Sequence, residues 1–585
     1  MADYRAPLSD MKFVLDHLVD LDELQKLNGY QHADRDLVFS VLDEGARFVQ
    51  DLIAPLNRVG DQTGSKLSGA DGVVSPPGFK EAYAHYVETG WGGVDFPAEW
   101  GGHGMPSVIG MAFEEMLTSA NMSFSLCPLL TFGAIDAILA HGSDEQKSLY
   151  LPKLISGEWT ATMNLTEPHA GSDLGALTSK AKPMGDGSYR ISGSKIFITW
   201  GEHDMAENVV HLVLARTPDA PPGTSGISMF IVPKFVPNDD GTPGDRNDLR
   251  VVSLEHKLGI HGSPTCVMSF GETDGAVGWL LGSENKGMRN MFTMMNAARI
   301  SVGLQGLALA ERAYQDARLY ALERKQGRAI GATEDSLIVE HPDVRRMLLT
   351  LRSNIEAMRA LLYVTAFHED HGHYAEDGTT RKWHSNATAL LTPVVKSWAT
   401  DLGVEMASLA LQVFGGMGYV EETGVAQYLR DSRIAPIYEG TNGIQAIDLV
   451  MRKLPLDQGA FVGSYLKSMR EVLEPLAAIE GFTTAADALD HAVSSLEEAT
   501  SWLLAQRDDP NAVLAGASPY CRMFGVVAGG WQLARSAIVA AADGPAAKLV
   551  TARFYLEQIL PAAAALLPSV TAGAGNLFAL TADQL

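Results

Sequence analysis

Cysteine is scarce in this sequence of 585 residues. The three cysteines, Cys127, Cys266 and Cys521, are odd in number and lie far apart along the chain. Such a set does not form a disulfide framework, and no CxxC motif indicates a structural metal site. Stability must therefore come from buried apolar cores, which a hydrophobic content of 46% can supply.

Positive charge is also in short supply. The chain has 45 Lys and Arg against 70 Asp and Glu, a formal net charge of -25. This field repels nucleic acid and acidic membrane surfaces. It does not prevent an anionic metabolite from binding in a locally basic cleft.

Long apolar runs are missing as well. No stretch reaches the roughly 20 uninterrupted apolar residues of a membrane span. The nearest run, 559–567, is short and broken by Pro561. The N-terminal residues lack the charged and apolar regions of a secretory signal. The sequence thus predicts a soluble, cytoplasmic protein without integral membrane association.

The pattern along the chain changes three times. Helical spacing of apolar residues covers the first 155 residues or so, and short alternating runs rich in turns follow to about residue 281. Helical spacing returns at about residue 288, and an Ala- and Leu-rich helical tail follows residue 455. We predict an α domain at 1–157, a β domain at 158–285, an α domain at 286–455 and an additional α-helical domain at 456–585.

Two segments of the β region have the composition of a binding site. Residues 166–173 read TEPHAGSD, and their small residues can expose backbone N–H groups to an anion. A plain surface loop is the alternative. Residues 195–201 read KIFITWG, where aromatic side chains around one Thr could form a flat wall for a planar ring, or simply a core strand.

Two further segments lie in the second α region. Residues 412–419 read QVFGGMGY and suit either the C-terminal stop of a helix or a close backbone approach to a pyrophosphate. Because no strand precedes them and GxGxxG is absent, they are not a Rossmann motif. In residues 437–445, IYEGTNGIQ, Glu439 sits in a Gly-flanked turn. An apolar cleft would raise the pKa of this Glu and make it a useful base. The alternative is a solvated turn, where most Glu residues are found.

In this order and at these spacings, the four segments are specific. From about residue 35 to residue 453 the chain resembles the acyl-CoA dehydrogenase family of flavoproteins. IYEGTN at 437–442 is similar to the catalytic signature of that family, and TEPHAGSD at 166–173 to its flavin-loop signature. The long N-terminus and acidic tail resemble the extended subgroup. The phrase EHKLGIHGSPTC at 255–266 most resembles the 3-methylmercaptopropionyl-CoA dehydrogenase branch.

The resemblance implies an α+β multi-domain fold. Its expected parts are an N-terminal helical domain, a central β-barrel or sandwich domain, a C-terminal four-helix-bundle domain and the additional C-terminal helical domain. It also implies an FAD cofactor, an acyl-CoA substrate, a homodimer or dimer of dimers, and an electron-transfer flavoprotein as electron acceptor.

The resemblance assigns Glu439 as the base that removes the α-proton while the β-hydrogen leaves as hydride to the flavin. Its backbone N–H and a ribityl hydroxyl of FAD are the implied donors to the enolate oxygen. Some relatives carry their base just before the position of Arg299. That position is Ala298 here, which cannot act as a base.

The cofactor and substrate residues are also carried over by resemblance. Phe197 stands where the family usually has Trp, and the segment after Arg324 lacks the Phe of the family pattern Arg-x-Gln-Phe-Gly. The implied substrate-binding residues are Ser172, Arg299, Glu439 and Gly440. The implied FAD-binding residues are Met163, Leu165, Thr166, Gly171, Ser172, Phe197, Ile198, Thr199, Arg324, Gln326, Gln412, Gly416, Tyr438, Thr441 and Asn442.

Several alternatives stay open at this point. Arg299 would contact the CoA part of the substrate, or would be a surface Arg in a salt bridge. His368, His371 and His373 are close in sequence, but their spacing matches no tetrahedral metal motif, and we predict no metal. A second hypothesis for the enzyme activity is an acyl-CoA oxidase that uses O₂. A nucleic-acid-binding homologue would need basic C-terminal helices, whereas residues 455–585 hold seven basic and thirteen acidic residues.

Overall fold

The computed structural model describes residues 3–69 and 72–585. The described chain divides into two compact units. We call residues 1–46, 106–119 and 299–585 the helical unit, and residues 47–105 and 120–298 the sheet unit.

The α-helices of the described chain, in chain order, are α1 Leu8–Val14, α2 Leu21–Leu24, α3 Arg35–Phe48, α4 Leu56–Thr63, α5 Phe79–Glu88, α6 Ser107–Ala120, α7 Met122–His141, α8 Asp144–Ser156, α9 Gly287–Glu323, α10 Pro342–Tyr374, α11 Gly378–Val413, α12 Ala426–Ser432, α13 Asn442–Asp448, α14 Ala460–Met469, α15 Leu473–Ala477, α16 Thr483–Ala505, α17 Pro510–Asp543, α18 Ala546–Phe554, α19 Pro561–Ala564 and α20 Leu567–Thr571. The strands are β1 Lys66–Leu67, β2 Val73–Val74, β3 Trp159–Asn164, β4 Lys180–Pro183, β5 Ser188–Thr199, β6 Asn208–Ala215, β7 Ser228–Pro233, β8 Phe235–Pro237, β9 Pro243–Arg246, β10 Leu249–Leu254, β11 Thr265–Phe270 and β12 Ala276–Leu280.

The sheet unit is built on an eight-stranded sheet. Its order is β10-β11-β5-β12-β7-β6-β3, and β4 pairs with β5. The β3–β6 pair is parallel, and the other pairs are antiparallel. One apolar cluster joins α7 and α8 to residues of β3, β6 and β7, and a second lies among β5, β7, β10 and β11. The strands of this sheet therefore contribute apolar side chains to two separate cores.

Long helices form the centre of the helical unit. Helix α17 packs against both α10 and α11. The contact with α11 is close, because a Cβ atom built on Gly525 of α17 would lie 2.3 Å from Cγ of Trp398. Helix α9 approaches α11 in the same way, since a Cβ on Gly306 would lie 2.0 Å from the carbonyl oxygen of Ala399. The absence of side chains at these glycines is what lets the backbones come together.

A cluster of buried charges ties α6, α9 and α10 together. The guanidinium of Arg359 donates to Glu115 at 2.7 Å and to Glu311 at 2.8 Å, and it also pairs with Asp10. The hydroxyl of Tyr363 donates to Glu115 at 2.7 Å. Because each carboxylate has a partner, the charges can be buried within the bundle.

The predicted helix–sheet–helix fold class is confirmed.

Two helices, α7 and α17, are long and apolar enough to cross a membrane by length and composition. The fold buries 83% of the most apolar window of α7 and 72% of that of α17. This burial is that of core helices, and it is consistent with a soluble protein.

Two buried histidines of the sheet unit make its stability depend on pH. Burial lowers the pKa of His203 and of His211 from 6.5 to about 3. Nδ1 of His203 accepts from the backbone N–H of Met205 at 3.1 Å, and Nδ1 of His211 accepts from the side chain of Asn164 at 3.1 Å. Both rings are therefore neutral at pH 7.

The unfolded chain binds protons at these histidines near pH 6.5, whereas the folded chain binds them only near pH 3. The stability that these histidines contribute by staying neutral is thus fully present above pH 6.5. As the pH drops below that value, the free energy of unfolding falls by about 1.4 kcal/mol per pH unit for each histidine. Urea unfolding followed by tryptophan fluorescence should show a flatter pH dependence for His203→Gln/His211→Gln. The exposed His85→Gln variant should keep the wild-type slope. A double variant with the wild-type slope would contradict this assignment.

Candidate active site

In the helical unit, Glu439 lies in a strained turn before α13. Its φ is +55°, in the left-handed region, and Gly440 follows with φ +83°. Left-handed backbone costs a non-Gly residue on the order of 1 kcal/mol and persists only where neighbours hold it. Here the N–H of Asn442 donates to the carbonyl of Pro436 at 3.0 Å, and the amide of Gln445 donates to the carbonyls of Glu439 and Gly440 at 3.2 Å.

The Glu439 carboxyl is in an environment suited to a base. Burial raises its pKa, and the positive charges of Arg299 and Lys396 partly oppose that rise. Arg299 is itself only 6% exposed. The structure therefore places Arg299 inside the helical unit, close to Gly440, rather than at an exposed surface.

The backbone around Glu439 also presents a donor. Its N–H makes no hydrogen bond to any other described residue. The preceding Tyr438 is anchored instead, because its hydroxyl donates to the side chain of Gln305 on α9. An available N–H in a partly buried site can stabilise a developing oxyanion.

The residues after Gly440 have structural partners. The hydroxyl of Thr441 caps α13 by accepting from the N–H of Ile444 at 3.3 Å. The side chain of Asn442 contacts α11: it accepts from Lys396 at 2.9 Å and donates to Asp401 at 2.7 Å. Lys396 is completely buried, and sequence reasoning missed it. A lone lysine in the apolar run TPVVKSWA was the available signal.

In the sheet unit, the structure brings the two predicted flavin segments together. The loop after β3 contacts β5, where the N–H of Ile196 donates to the carbonyl of Thr166 at 2.9 Å. The hydroxyl of Thr162 donates to the carbonyl of Thr199 at 2.7 Å. Met163 is buried in β3, whereas Leu165 and Thr166 are partly exposed, and Gly171 and Ser172 are exposed.

An exposed aromatic ring marks the end of β5. Phe197 is 58% exposed and has φ +59°, whereas its neighbour Ile198 is 2% exposed. Trp200 also has a positive φ, and its indole N–H donates to the carbonyl of Ser123 at 3.1 Å. A flat apolar ring beside the hydroxyls of Thr166 and Thr199 suits a planar, polar ring system such as a flavin.

A buried ion pair joins these two segments, and sequence reasoning missed it. Nζ of Lys195 lies 2.8 Å from the carboxylate of Glu167 and 3.1 Å from the carbonyl of Leu165. Burial alone would raise the pKa of Glu167, but Lys195 and hydrogen bonds from Thr178 and Ser179 hold it at about 2. The pair fixes the loop after β3 to β5.

Four predicted cofactor residues lie at the far ends of α9 and α11. Arg324 donates to the side chain of Gln326 at 3.2 Å. Gln412, in the last turn of α11, and Gly416, just beyond that helix, are both exposed. Tyr320 stacks on Phe414 with ring centroids 4.4 Å apart, which holds the two helix ends together. Thr400 of α11 contacts Asn442. Gln412 lies twelve residues further along the same helix, or about 18 Å away. This group is therefore remote from Glu439 within the helical unit.

The histidine cluster differs from the one expected. The rings of His368 and His371 lie 5.0 and 4.6 Å from that of His384, whereas His373 contacts Tyr374. Nδ1 of His368 and Nδ1 of His384 are 2.9 Å apart and share one hydrogen bond. Across residues 3–69 and 72–585, no three His, Cys, Asp or Glu side chains are arranged to hold a metal ion. We propose no metal site.

Four family models match nearly the whole chain. They are the N-terminal domain of acyl-CoA dehydrogenase at residues 41–158, its middle domain at 162–273, its C-terminal domain at 285–454, and the acetyl-CoA dehydrogenase C-terminal-like domain at 465–581.

Similar proteins agree with these matches. The 3-methylmercaptopropionyl-CoA dehydrogenase of Ruegeria pomeroyi is 46% identical over 95% of this chain and 96% of its own length. A butyryl-CoA dehydrogenase of Syntrophomonas wolfei is 36% identical over 95% of both chains. The structure of an acyl-CoA dehydrogenase complexed with FAD from Bacillus anthracis has a TM-score of 0.71 at 22% identity. It covers 92% of this chain and 88% of that chain, and it shows the shared fold.

Together, the fold, the partly buried carboxylate and these similarities define an FAD-dependent oxidoreductase that acts on acyl-CoA thioesters. Within that class, the chain belongs to the acyl-CoA dehydrogenase family. The predicted fold, class of activity and cofactor are confirmed at this level. The roles of the individual site residues stay predictions.

The Glu167–Lys195 pair gives a test of how the flavin segments are held. Glu167→Gln should lower the free energy of unfolding by about 3–5 kcal/mol, because it leaves a buried lysine without its partner. It should also reduce the FAD retained through gel filtration. Chemical denaturation and the visible flavin spectrum measure the two effects.

Glu158→Gln is the matched control, because the Lys153–Glu158 pair is partly exposed. Its effect should stay within about 1 kcal/mol. Adding Lys195→Met to Glu167→Gln should restore part of the lost stability. If Glu167→Gln behaves like Glu158→Gln, the buried pair does not hold the loop.

Proposed function

We propose that this protein converts a short-chain acyl-CoA to the trans-2-enoyl-CoA with Glu439 as the catalytic base. The observation that carries the proposal is the partly buried Glu439 carboxyl, held in a left-handed turn with an available backbone N–H. A raised pKa matches a carboxylate to the weakly acidic α-proton of a thioester.

In the proposed reaction, the Glu439 carboxylate takes the α-proton, and the electrons of that C–H bond form the new C=C bond. Bound FAD supplies the acceptor for the hydride that leaves the β-carbon. The backbone N–H of Glu439 donates to the thioester oxygen as negative charge develops there. Arg299, Ser172 and Gly440 contact the substrate.

The residues that would hold FAD fit a planar cofactor with a charged tail. Phe197, Ile198 and Thr199 would flank the ring system, with Met163, Leu165, Thr166, Gly171 and Ser172 beside it. Arg324, Gln326, Gln412 and Gly416 would reach the pyrophosphate and adenosine across a homodimer interface. Their distance along α11 from the Asn442 contact supports an origin in a second copy. Tyr438, Thr441 and Asn442 complete the set.

Other parts of the proposal rest on the relatives. Their names state 3-methylmercaptopropionyl-CoA and butyryl-CoA as substrates, which supports a short acyl chain, including one with a thioether. We further propose an electron-transfer flavoprotein as acceptor, a cytoplasmic location, and domains at 1–157, 158–285, 286–455 and 456–585.

Glu439→Gln tests the base directly. The variant should fold and keep its yellow flavin, but acyl-CoA should no longer bleach the flavin under anaerobic conditions. Stopped-flow absorbance measures the rate. The exposed Glu498→Gln variant is the control and should reduce at the wild-type rate. If Glu439→Gln keeps its rate within tenfold, or about 1.4 kcal/mol of barrier, Glu439 is not the base.

A panel of acyl-CoAs tests the substrate. With an artificial electron acceptor, kcat/KM should be highest for butyryl-CoA or 3-methylmercaptopropionyl-CoA and should fall steeply for chains of 12 or more carbons. A long-chain optimum would contradict the proposed substrate. Reoxidation of the reduced enzyme in air should be slow, and rapid reoxidation would identify an acyl-CoA oxidase instead.

A further inference from the structure

The turn that carries Glu439 is anchored on α11 by a single side chain. Asn442, the first residue of α13, closes the turn through its backbone N–H, which donates to the carbonyl of Pro436 at 3.0 Å. Its side chain lies on α11. There its oxygen accepts from Nζ of Lys396 at 2.9 Å, and its amide donates to Asp401 at 2.7 Å and to the hydroxyl of Thr400 at 3.0 Å.

Lys396 is the charged member of this anchor, and it has no exposed surface. Burial lowers its pKa to about 7, while the carboxylates of Glu439 and Asp401 favour its charged form. A buried ammonium is costly, so its presence in the middle of α11 needs a compensating anion.

The charged and titratable groups around this pair come from several elements. Arg299 of α9 acts on both Glu439 and Lys396. Asp401 of α11 and Cys521 of α17 act on Lys396, and Tyr438 is adjacent to Glu439. Positive charges from two helices, α9 and α11, therefore both act on the Glu439 carboxyl.

We propose that Lys396 is a positioning residue for the reaction: it holds the Glu439 turn through Asn442 and supplies the positive charge that keeps the Glu439 carboxyl ionised. The inference rests on the proposed role of Glu439 as the base. Only an ionised carboxylate can accept the α-proton. The 2.9 Å contact between Nζ of Lys396 and the side chain of Asn442 brings this charge to the segment that carries Glu439. A nearby opposite charge lowers a carboxyl pKa, which opposes the rise that burial causes.

The two contributions of Lys396 can be separated by substitution. Lys396→Gln removes the charge but keeps a donor that can reach Asn442. Lys396→Arg keeps the charge. Thr400→Val removes a neutral contact to Asn442 and leaves the charge in place. Lys396→Met removes both charge and donor with little change in volume.

The measurement is the pH profile of anaerobic flavin reduction by butyryl-CoA, with the purified holoenzyme. Because the ionised base is required, the rate rises with pH through the pKa of Glu439. Lys396→Gln and Lys396→Met should move this acid limb upward by about one pH unit, which means about a tenfold lower rate below the limb. Lys396→Arg should leave the limb near its wild-type position. Thr400→Val should lower the plateau rate without moving the limb.

Flavin content and thermal unfolding show whether each variant is folded. If Lys396→Met does not fold, Lys396→Gln carries the test. An unmoved limb in a folded Lys396→Gln or Lys396→Met enzyme, with Glu439→Gln inactive, overturns the role of Lys396 and leaves the proposed function standing. An active Glu439→Gln enzyme overturns the proposed function itself. If the acid limb of the pH profile moves equally in Thr400→Val, the shift comes from a displaced turn and not from the lost charge. This outcome also overturns the inference.

Discussion

The balance between partial burial and nearby positive charge at one carboxyl, that of Glu439, is the constraint on which the proposed active site depends. Burial raises the pKa of Glu439, which favours its protonated form, whereas the proposed reaction needs the ionised form. Arg299 of α9 and Lys396 of α11 oppose that rise, because each contributes positive charge from a different helix. The strained turn presents the carboxyl and an available N–H together, and α9, α11 and α13 supply the contacts that hold it.

The same principle recurs away from the base. Glu167 is buried in the loop after β3, and it is ionised because Lys195 and the Thr178–Ser179 segment surround it with donors. Arg359 is compensated by Glu115, Glu311 and Asp10 in the same manner. In each case a buried charge links segments that are distant in sequence. Replacing one member leaves the other charge buried without a partner, so the free energy of unfolding falls strongly.

Several features could be predicted from local sequence. Apolar periodicity separates helices from strands because the repeats of 3.6 and 2 residues are set by backbone geometry. The short motifs around Thr166, Phe197 and Glu439 were recognisable because Gly, aromatic and acidic residues in fixed order are uncommon by chance. The histidine cluster shows the limit. Proximity in sequence grouped His373 with His368 and His371, whereas packing of α10 against α11 brings His384 to them instead.

By itself, the sequence determined the layout of helices and sheet, and its motifs carried the resemblance to the family, which implied the class of chemistry and Glu439 as the proposed base. These follow from patterns within a few residues of one another. Tertiary structure alone decided which charges face each other: Lys195 against Glu167, and Lys396 with Arg299 beside Glu439. Those partners lie on different elements, and only folding brings them close enough for Coulomb interactions in a medium of low dielectric constant to shift a pKa.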